Sequence, residues 1–371
     1  MIVSVVKKIG MFFFDILSRF TSIYHLLTDK SLTKSDSYFP EYADRRKTRI
    51  RIFVEQLYWI LKNGNYNEFY FLYGFDIKGL RKQSEYVDYV LFRRRRNLLQ
   101  NVSKNNQIAM LRDKMFFGII SDALNIRTPK NYSFFEKKDC YVFDTHKKIS
   151  IEEYVRSTVV DAYMKLIDGE CAEGVYKYEQ REGIIYLNGK ITPIEDLYKI
   201  TQNGRFVIQE RVIQSDKIGR LHPHAVNTVK ISTVYDKVND KIVLLPTFFR
   251  VGVGDMTVDN WAVGGLAIGV NNETGRLQEW AYYKPGYGTK VKSHPESGVV
   301  FKDFELPYFK EAIQMISKYH RLLPNIHSIG WDIAMLEDGP CIIEGNDNWE
   351  ISPMQLVHGG MRKEFETLMK I

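Results

Sequence analysis

The stretch from Ser328 to Glu350, SIGWDIAMLEDGPCIIEGNDNWE, restricts the fold more than any other part of the chain. Two runs, Trp331 to Leu336 and Cys341 to Asn346, alternate in chemistry and flank Glu337-Asp338-Gly339, whose composition predicts a three-residue hairpin loop ending in a left-handed glycine. Such a loop sets the register, placing Asp332 opposite Glu344 and Asn346 two residues further along the same face. Ala334, Leu336 and Ile342 are expected on that face, and Trp331, Ile333, Met335, Cys341 and Ile343 on the other. Both faces therefore read as mostly buried. Buried carboxylates without a cation are costly, so a metal or a basic partner is expected. Two carboxylates and an amide oxygen suit Mg2+, which completes its shell with water and phosphate oxygens. An ordinary hairpin with a wet polar face explains the spacing less well.

With 371 residues, 44% hydrophobic and 13% aromatic, the chain is long enough for two or three packed domains. Cys140, Cys171 and Cys341 leave one cysteine over and lack metal-type spacing, which argues against a disulfide framework and fits a reducing cytoplasm. The formal net charge of +7 is partly concentrated in Arg93 to Arg96 and in Arg45, Arg46, Lys47, Arg49 and Arg51. Such runs read as solvated helix faces. Without groove-reading or aromatic motifs they do not indicate nucleic acid, and an anionic membrane surface or substrate uses that charge better.

At the N-terminus, apolar residues from Ile2 through Phe13, Ile16, Phe20 and Tyr24 to Leu27 recur at helical spacing, with Lys7, Lys8, Asp15, Arg19 and His25 between them. The charges come too early for a spanning helix, and no cleavage site follows an uninterrupted apolar core. Residues 1–28 are expected either to pack on their own domain or to lie in a membrane interface, in peripheral contact with its inner face. Residues 30–39 read as a linker. From Tyr42 to about Asn101 the periodicity is helical, with Ile50, Phe53, Val54, Leu57, Tyr58 and Leu61 on one stripe.

The texture changes near residue 105. A helix from about Ile108 to Leu124, then strand-like runs near 141–144, 163–167, 174–178, 184–191 and 206–212, predict one α+β lobe. Runs near 226–235, 243–253, 266–270 and 277–283, with a helix from about Pro307 to Leu322, lead into the hairpin and predict a second. The expected fold class is α+β, divided into a mainly helical N-terminal region at 1–104, one lobe at 105–212 and another at 213–371.

Lys165 stands in an apolar strand pattern before a glycine-bearing loop, Asp168 to Gly174. That arrangement places a cation beside phosphates covered by backbone amides, although a lysine snorkelling from a strand edge looks the same. Lys114, after Asp113, is a second candidate for the same phosphates. Lys230 and Arg250 each put a cation on an apolar strand, and Asp259-Asn260-Trp261-Ala262-Val263-Gly264-Gly265 is a loop between strands. Fixed cations beside a metal-bound phosphate suit a reaction that develops negative charge. Arg250 matches a carboxylate with its planar fork, and structural ion pairing explains the same residues equally well. His222, His224, His294 and His358 have no zinc-site context. Cys171 lacks an adjacent histidine to activate it.

Taken in order, DKMFF at 113–117, YMKLIDG at 163–169, VIQERVI at 207–213, VNTVKISTV at 226–234, DNWAVGGLAIGV at 259–270, HPESG at 294–298 and the GWDIAMLEDGPCIIEGN hairpin resemble the ATP-grasp superfamily. More narrowly, they resemble its sugar-transfer-associated proteins of bacterial surface-polysaccharide biosynthesis, over roughly residues 105–360. The resemblance implies two α+β lobes clamping ATP, with Lys114 and Lys165 on the phosphates, Gln209 to Val212 as the hinge that meets adenine, and Glu210 or a neighbour on the ribose. It implies Asp332, Glu344 and Asn346 as Mg2+ ligands, and Arg250 as the residue steadying an acyl phosphate with Lys230 beside it. Asn260, Gly264 and Gly265 would belong to the loop that closes on the site. The activity so implied is an ATP-dependent carboxylate-amine ligase that joins an amino acid or amine to a sugar carboxylate of a capsule or O-antigen. A phosphotransferase using the same site and a non-catalytic docking protein of the polysaccharide machinery stay open beside it.

Overall fold

The structure is a computed structural model and describes residues 16–28, 38–169 and 173–370. The apolar positions before Asp15, most of the expected linker and Cys171, in the loop after Lys165, lie outside the described residues.

Two antiparallel sheets of eight strands each carry the fold. The first holds β1 (Asn131–Glu136), β2 (Asp139–Val142), β3 (Lys147–Ser150), β4 (Val160–Leu166), β5 (Val175–Arg181), β6 (Ile184–Leu187), β7 (Lys190–Thr192) and β8 (Arg205–Glu210). Their order is β3-β2-β1-β8-β4-β5-β6-β7. Phe135, Met164, Tyr178 and Ile208 turn one face toward Ile151, Tyr154 and Leu197 of the helices Ile151–Ser157 and Ile194–Gln202. The run expected as one strand over 184–191 is a hairpin instead. Asn188 and Gly189, both left-handed at φ 51° and 77°, form a two-residue turn whose twist matches the strands it joins.

The second sheet holds β9 (Thr228–Asp236), β10 (Lys241–Leu244), β11 (Thr247–Val251), β12 (Leu266–Val270), β13 (Leu277–Tyr283), β14 (Lys290–Val291), β15 (Ser328–Leu336) and β16 (Gly339–Asn346). The order is β14-β13-β12-β11-β9-β15-β16, with β10 paired to β9. One face packs Phe249, Ile329, Trp331 and Ile333 with Ala312, Ile316 and Tyr319 of the helix Phe309–Arg321. Leu111, Phe117 and Ile126 precede the first sheet in sequence, yet they belong to this second core. They sit in or just after the helices Ile108–Arg112 and Lys114–Ala123, which were expected as one and are separated at Asp113, whose side chain caps the second. The other face carries Val234, Phe248, Ala267 and Tyr282 against an aromatic cluster that includes Tyr73, Phe75, Tyr86 and Phe92, with Trp349 and Leu356.

Two expectations for the N-terminal region are overturned. In the helix Arg49–Asn63 the buried residues are Ile52, Gln56, Trp59 and Ile60, while Ile50, Val54, Tyr58 and Leu61 of the expected apolar stripe are exposed and do not face the core. The aromatic residues Phe69 to Phe75 pack in the same cluster as Ile52, Trp59 stands against Phe75, and the Gln56 amide donates to Asn67 O at 3.3 Å. Arg93 to Arg96 are not simply a solvated face. Arg93 pairs with Glu350, Arg95 donates to Met369 O, and the buried Arg96 donates to Trp349 O, so the run fastens the C-terminal segment.

The final hairpin reaches its expected register by a different route. Its loop has two residues, Glu337 and Asp338, because Leu336 pairs directly with Gly339, at φ 137°. A bulge between Asp332 and Ile333 restores the missing step, so Asp332 still faces Glu344. Two residues opposing one reverse the alternation beyond that point. Ile342 therefore joins Ile333 in the helix-side core, and Cys341 sits with Ala334 and Leu336, with Ile343 packed beside them.

Candidate active site

The site is built on four adjacent strands, β11, β9, β15 and β16. Asp332 on β15 pairs across with Lys230 on β9 and with Glu344 on β16, so one row of the sheet carries a cation and two carboxylates. Lys230 binds one Asp332 oxygen. Arg250 on β11 binds the other at 2.9 Å, and its guanidinium also reaches Asp259 at 2.9 Å and Thr228 Oγ1 at 3.2 Å. Asn346 Nδ2 donates to Glu344 Oε1 at 3.1 Å and to Asp332 Oδ1 at 3.4 Å.

Charge in this row is shaped by burial. Burial pushes the Asp332 carboxyl up to about 6, against the pull of Lys230 and Arg250. Burial also opposes ionisation of Glu344, but Lys230, Asn346, Lys114 and Arg250 together hold its carboxyl below the usual range. Arg250 Nε is buried with no hydrogen-bond partner among the described residues. A buried donor left without an acceptor costs about 1–3 kcal/mol, so this nitrogen is set to receive an anionic oxygen.

The first lobe supplies the opposing cations. Lys165 on β4 donates to Gln209 Oε1 on β8 at 2.9 Å, and Gln209 passes the chain on to Asn131 Oδ1 at 3.0 Å. Burial lowers the Lys165 ammonium to about 8, while Glu344 of the second sheet pulls it upward and Lys114 downward. Lys114 donates to Gly169 O, which ties the helix it opens to the loop after β4. Gln209 therefore turns its side chain inward toward Lys165 and away from solvent. Strand β8 ends at Glu210, whose backbone N–H donates to Lys130 O at 2.8 Å and whose carboxylate accepts from Lys130 N at 3.0 Å. Arg211, Val212 and Ile213 continue outside any strand as the connection between the lobes.

The loop after β11 is held by Asp259, which the sequence reading passed over. Asp259 is 5% exposed and accepts from Thr228 N at 2.8 Å, from Thr228 Oγ1 at 2.5 Å and from Arg250. It opens the loop motif quoted from the sequence, but nothing in that motif marked it as the partner of Arg250. The Asn260 side chain caps Ala262 N at 2.9 Å, so it shapes the loop and does not join the carboxylate row. Gly264 is left-handed at φ 116°, and a Cβ on Gly265 would stand 2.7 Å from Asp259 O, so the turn needs both glycines. His222 and His294, called contextless above, meet Met256 O at 2.9 Å and Gly252 O at 2.8 Å, clamping the start of this loop. With Glu296 they place their ligand-type atoms within 4.8 Å of one another, a proximity invisible in the sequence.

The residues in the row fit a hard divalent cation. Asp332 and Glu344 supply carboxylate oxygens, and Asn346 would supply its amide oxygen by turning the amide over, which exchanges a donor for an acceptor without moving the chain.

Two antiparallel α+β lobes, one carrying Lys114 and Lys165 and the other the row of Lys230, Asp332 and Glu344 with Arg250 beside it, are the arrangement of the ATP-grasp class. The chain belongs to the sugar-transfer associated ATP-grasp family, whose family model matches residues 93–369. No curated protein matches the sequence. Among solved structures, the chain is similar to an ADP complex of purK, an N5-carboxyaminoimidazole ribonucleotide synthetase, at 8% identity and TM-score 0.38, over 68% of this chain and 50% of that one. The corresponding synthetase from Thermotoga maritima is 11% identical at TM-score 0.35, over 68% and 48%. A D-alanine–D-alanine ligase from Bacillus anthracis is 9% identical at TM-score 0.38, over 74% of each chain. The chain thus spans about half the length of the first two.

Proposed function

We propose that this protein is an ATP-dependent carboxylate-amine ligase that joins an amino acid or amine to a sugar carboxylate in capsule or O-antigen biosynthesis. A carboxylate oxygen attacks the γ-phosphorus of ATP, the bond to the ADP oxygen breaks, and an acyl phosphate forms. The amine nitrogen then attacks the acyl carbon, phosphate leaves with its oxygen, and the nitrogen gives up a proton to leave an amide. Asp332, Glu344 and Asn346 would hold Mg2+. When bound, that ion neutralises charge on the β- and γ-phosphate oxygens.

The chain's own residues do the rest by position and charge. Lys114 and Lys165 neutralise the phosphates from the first lobe, and the segment from Gln209 to Val212 meets the adenine, with Glu210 on the ribose. Arg250 receives the substrate carboxylate, and its Nε steadies the oxyanion that forms when the amine attacks. Lys230 follows the transferred phosphoryl group. The loop with Asn260, Gly264 and Gly265 closes over the site and excludes water. What supports the reading is the row of Lys230, Asp332 and Glu344 standing opposite Lys165.

The test is Mg2+-dependent ADP release, screened over uronic acids and amino sugars paired with amino acids, with Glu344→Ala as control. ADP that appears only with one acid–amine pair, together with an amide product and silence in the control, is expected. ADP release without amine, accompanied by a stable phosphorylated acceptor, would replace the ligase with a phosphotransferase.

A further inference from the structure

Two helices of the N-terminal region present their apolar sides outward. Residues 16–28 are helical and dock through a polar side: Ser18 Oγ donates to Gly64 O at 2.7 Å, and Ser22 Oγ accepts from Tyr66 N at 3.1 Å. Leu26 is buried, whereas Leu17, Phe20, Tyr24 and Leu27 are each more than 60% exposed. The helix Arg49–Asn63 repeats the pattern, with its buried side at Ile52, Gln56, Trp59 and Ile60. Its stripe of Ile50, Val54, Tyr58 and Leu61 is exposed, Ile50 by 78%. Both sets follow the helical spacing of a continuous face. The contacts of Ser18 and Ser22 with Gly64 and Tyr66 bring the two helices together where the second one ends. Exposed apolar stripes on two helices that meet in this way mark an interaction site.

Charge decides the occupant. Residues 16–28 contain no carboxylate, and the only one in Arg49–Asn63 is Glu55, which already pairs with Lys47 at 2.7 Å and Arg51 at 3.0 Å and accepts from Tyr70 OH at 2.6 Å. Arg19, Arg49, Arg51 and Lys62 are the other charged residues of the two helices. An apolar face of Leu, Ile, Phe and Tyr bordered by arginine and lysine complements the acyl and headgroup boundary of an anionic bilayer. No helix among the described residues is long and apolar enough to cross a membrane.

We propose that this paired face binds an anionic lipid surface, lying in the interface with the two apolar stripes directed into the headgroup region. The proposal is independent of the reaction assigned above. It extends the peripheral contact expected for residues 1–28 to a second helix, whose apolar stripe was already visible at helical spacing.

The test is sedimentation of the full chain with phosphatidylcholine vesicles, with and without phosphatidylglycerol, for wild type, for Phe20→Gln/Tyr58→Gln and for Arg49→Gln/Lys62→Gln. All substituted side chains lie on helix surfaces, and circular dichroism confirms that each variant is folded. Wild type should partition onto the anionic vesicles, and each double variant should partition about tenfold less. Absence of wild-type binding, or binding equal in all three proteins, would overturn the proposal. So would a wild-type dimer that the Phe20→Gln/Tyr58→Gln variant dissociates, because a second copy would then cover the face.

Discussion

Lys165 is where binding and folding pull in opposite directions. Its ammonium is lowered from the ordinary 10.5 to about 8 by burial, so between those values the folded chain holds fewer protons than the unfolded one. Stability from this group therefore rises with pH across that window, and its full cost is present below about 8. Lys165→Met should raise the melting temperature at pH 7 and flatten its rise toward pH 10, while ATP affinity falls about 10–100-fold. A melting curve that drops in the variant would show the lysine to be a net stabiliser. Arg250 and Asp259 form a second residue-level case. Arg250→Ala should reduce kcat/KM about 100-fold or more. Asp259→Asn should lower kcat about tenfold with the KM for ATP nearly unchanged, because the Asp259 carboxylate is engaged with the Arg250 guanidinium and Thr228. A change confined to KM for ATP would remove that role.

At the scale of elements, the hairpin shows both the reach and the limit of sequence reading. Asp332 opposite Glu344 was legible because both strands alternate around a turn signal. The bulge was not, since a two-residue loop with one bulged residue and a three-residue loop without one give the same partner for Asp332. The exchange of Cys341 and Ile342 between faces follows from it. Helix faces failed for a related reason: the apolar stripe of Arg49–Asn63 is genuine, but its opposite side, with Trp59 and Ile60, took the core. Asp259 was missed because a lone loop carboxylate has no periodicity to mark it. The Gly264 turn gives an element-level prediction. At φ 116°, with Tyr287 only 3.0 Å from an added Cβ, Gly264→Ala should lower stability by about 1–3 kcal/mol in a denaturant titration and slow turnover together. Unchanged stability would mean that the loop relaxes without strain.

Across the whole molecule, the second sheet is the frame to which everything else is attached. The N-terminal aromatics and the C-terminal helices share one core on one of its faces, and Arg112 is bidentate to the buried Asp347 at 2.8 Å beside the hairpin. The carboxylate row therefore sits on the sheet that both ends of the chain pack against, while Lys165 and Lys114 belong to the first lobe. Under the proposed function that division would give nucleotide binding to both lobes and metal binding to one. The direct measurement is ATP affinity by titration calorimetry with and without Mg2+, for wild type and for Glu344→Gln. Wild type should bind ATP at least about tenfold more tightly with Mg2+, and Glu344→Gln should lose that gain while still binding ATP through the lysines. A Mg2+ gain that survives in Glu344→Gln would contradict a metal held by the hairpin.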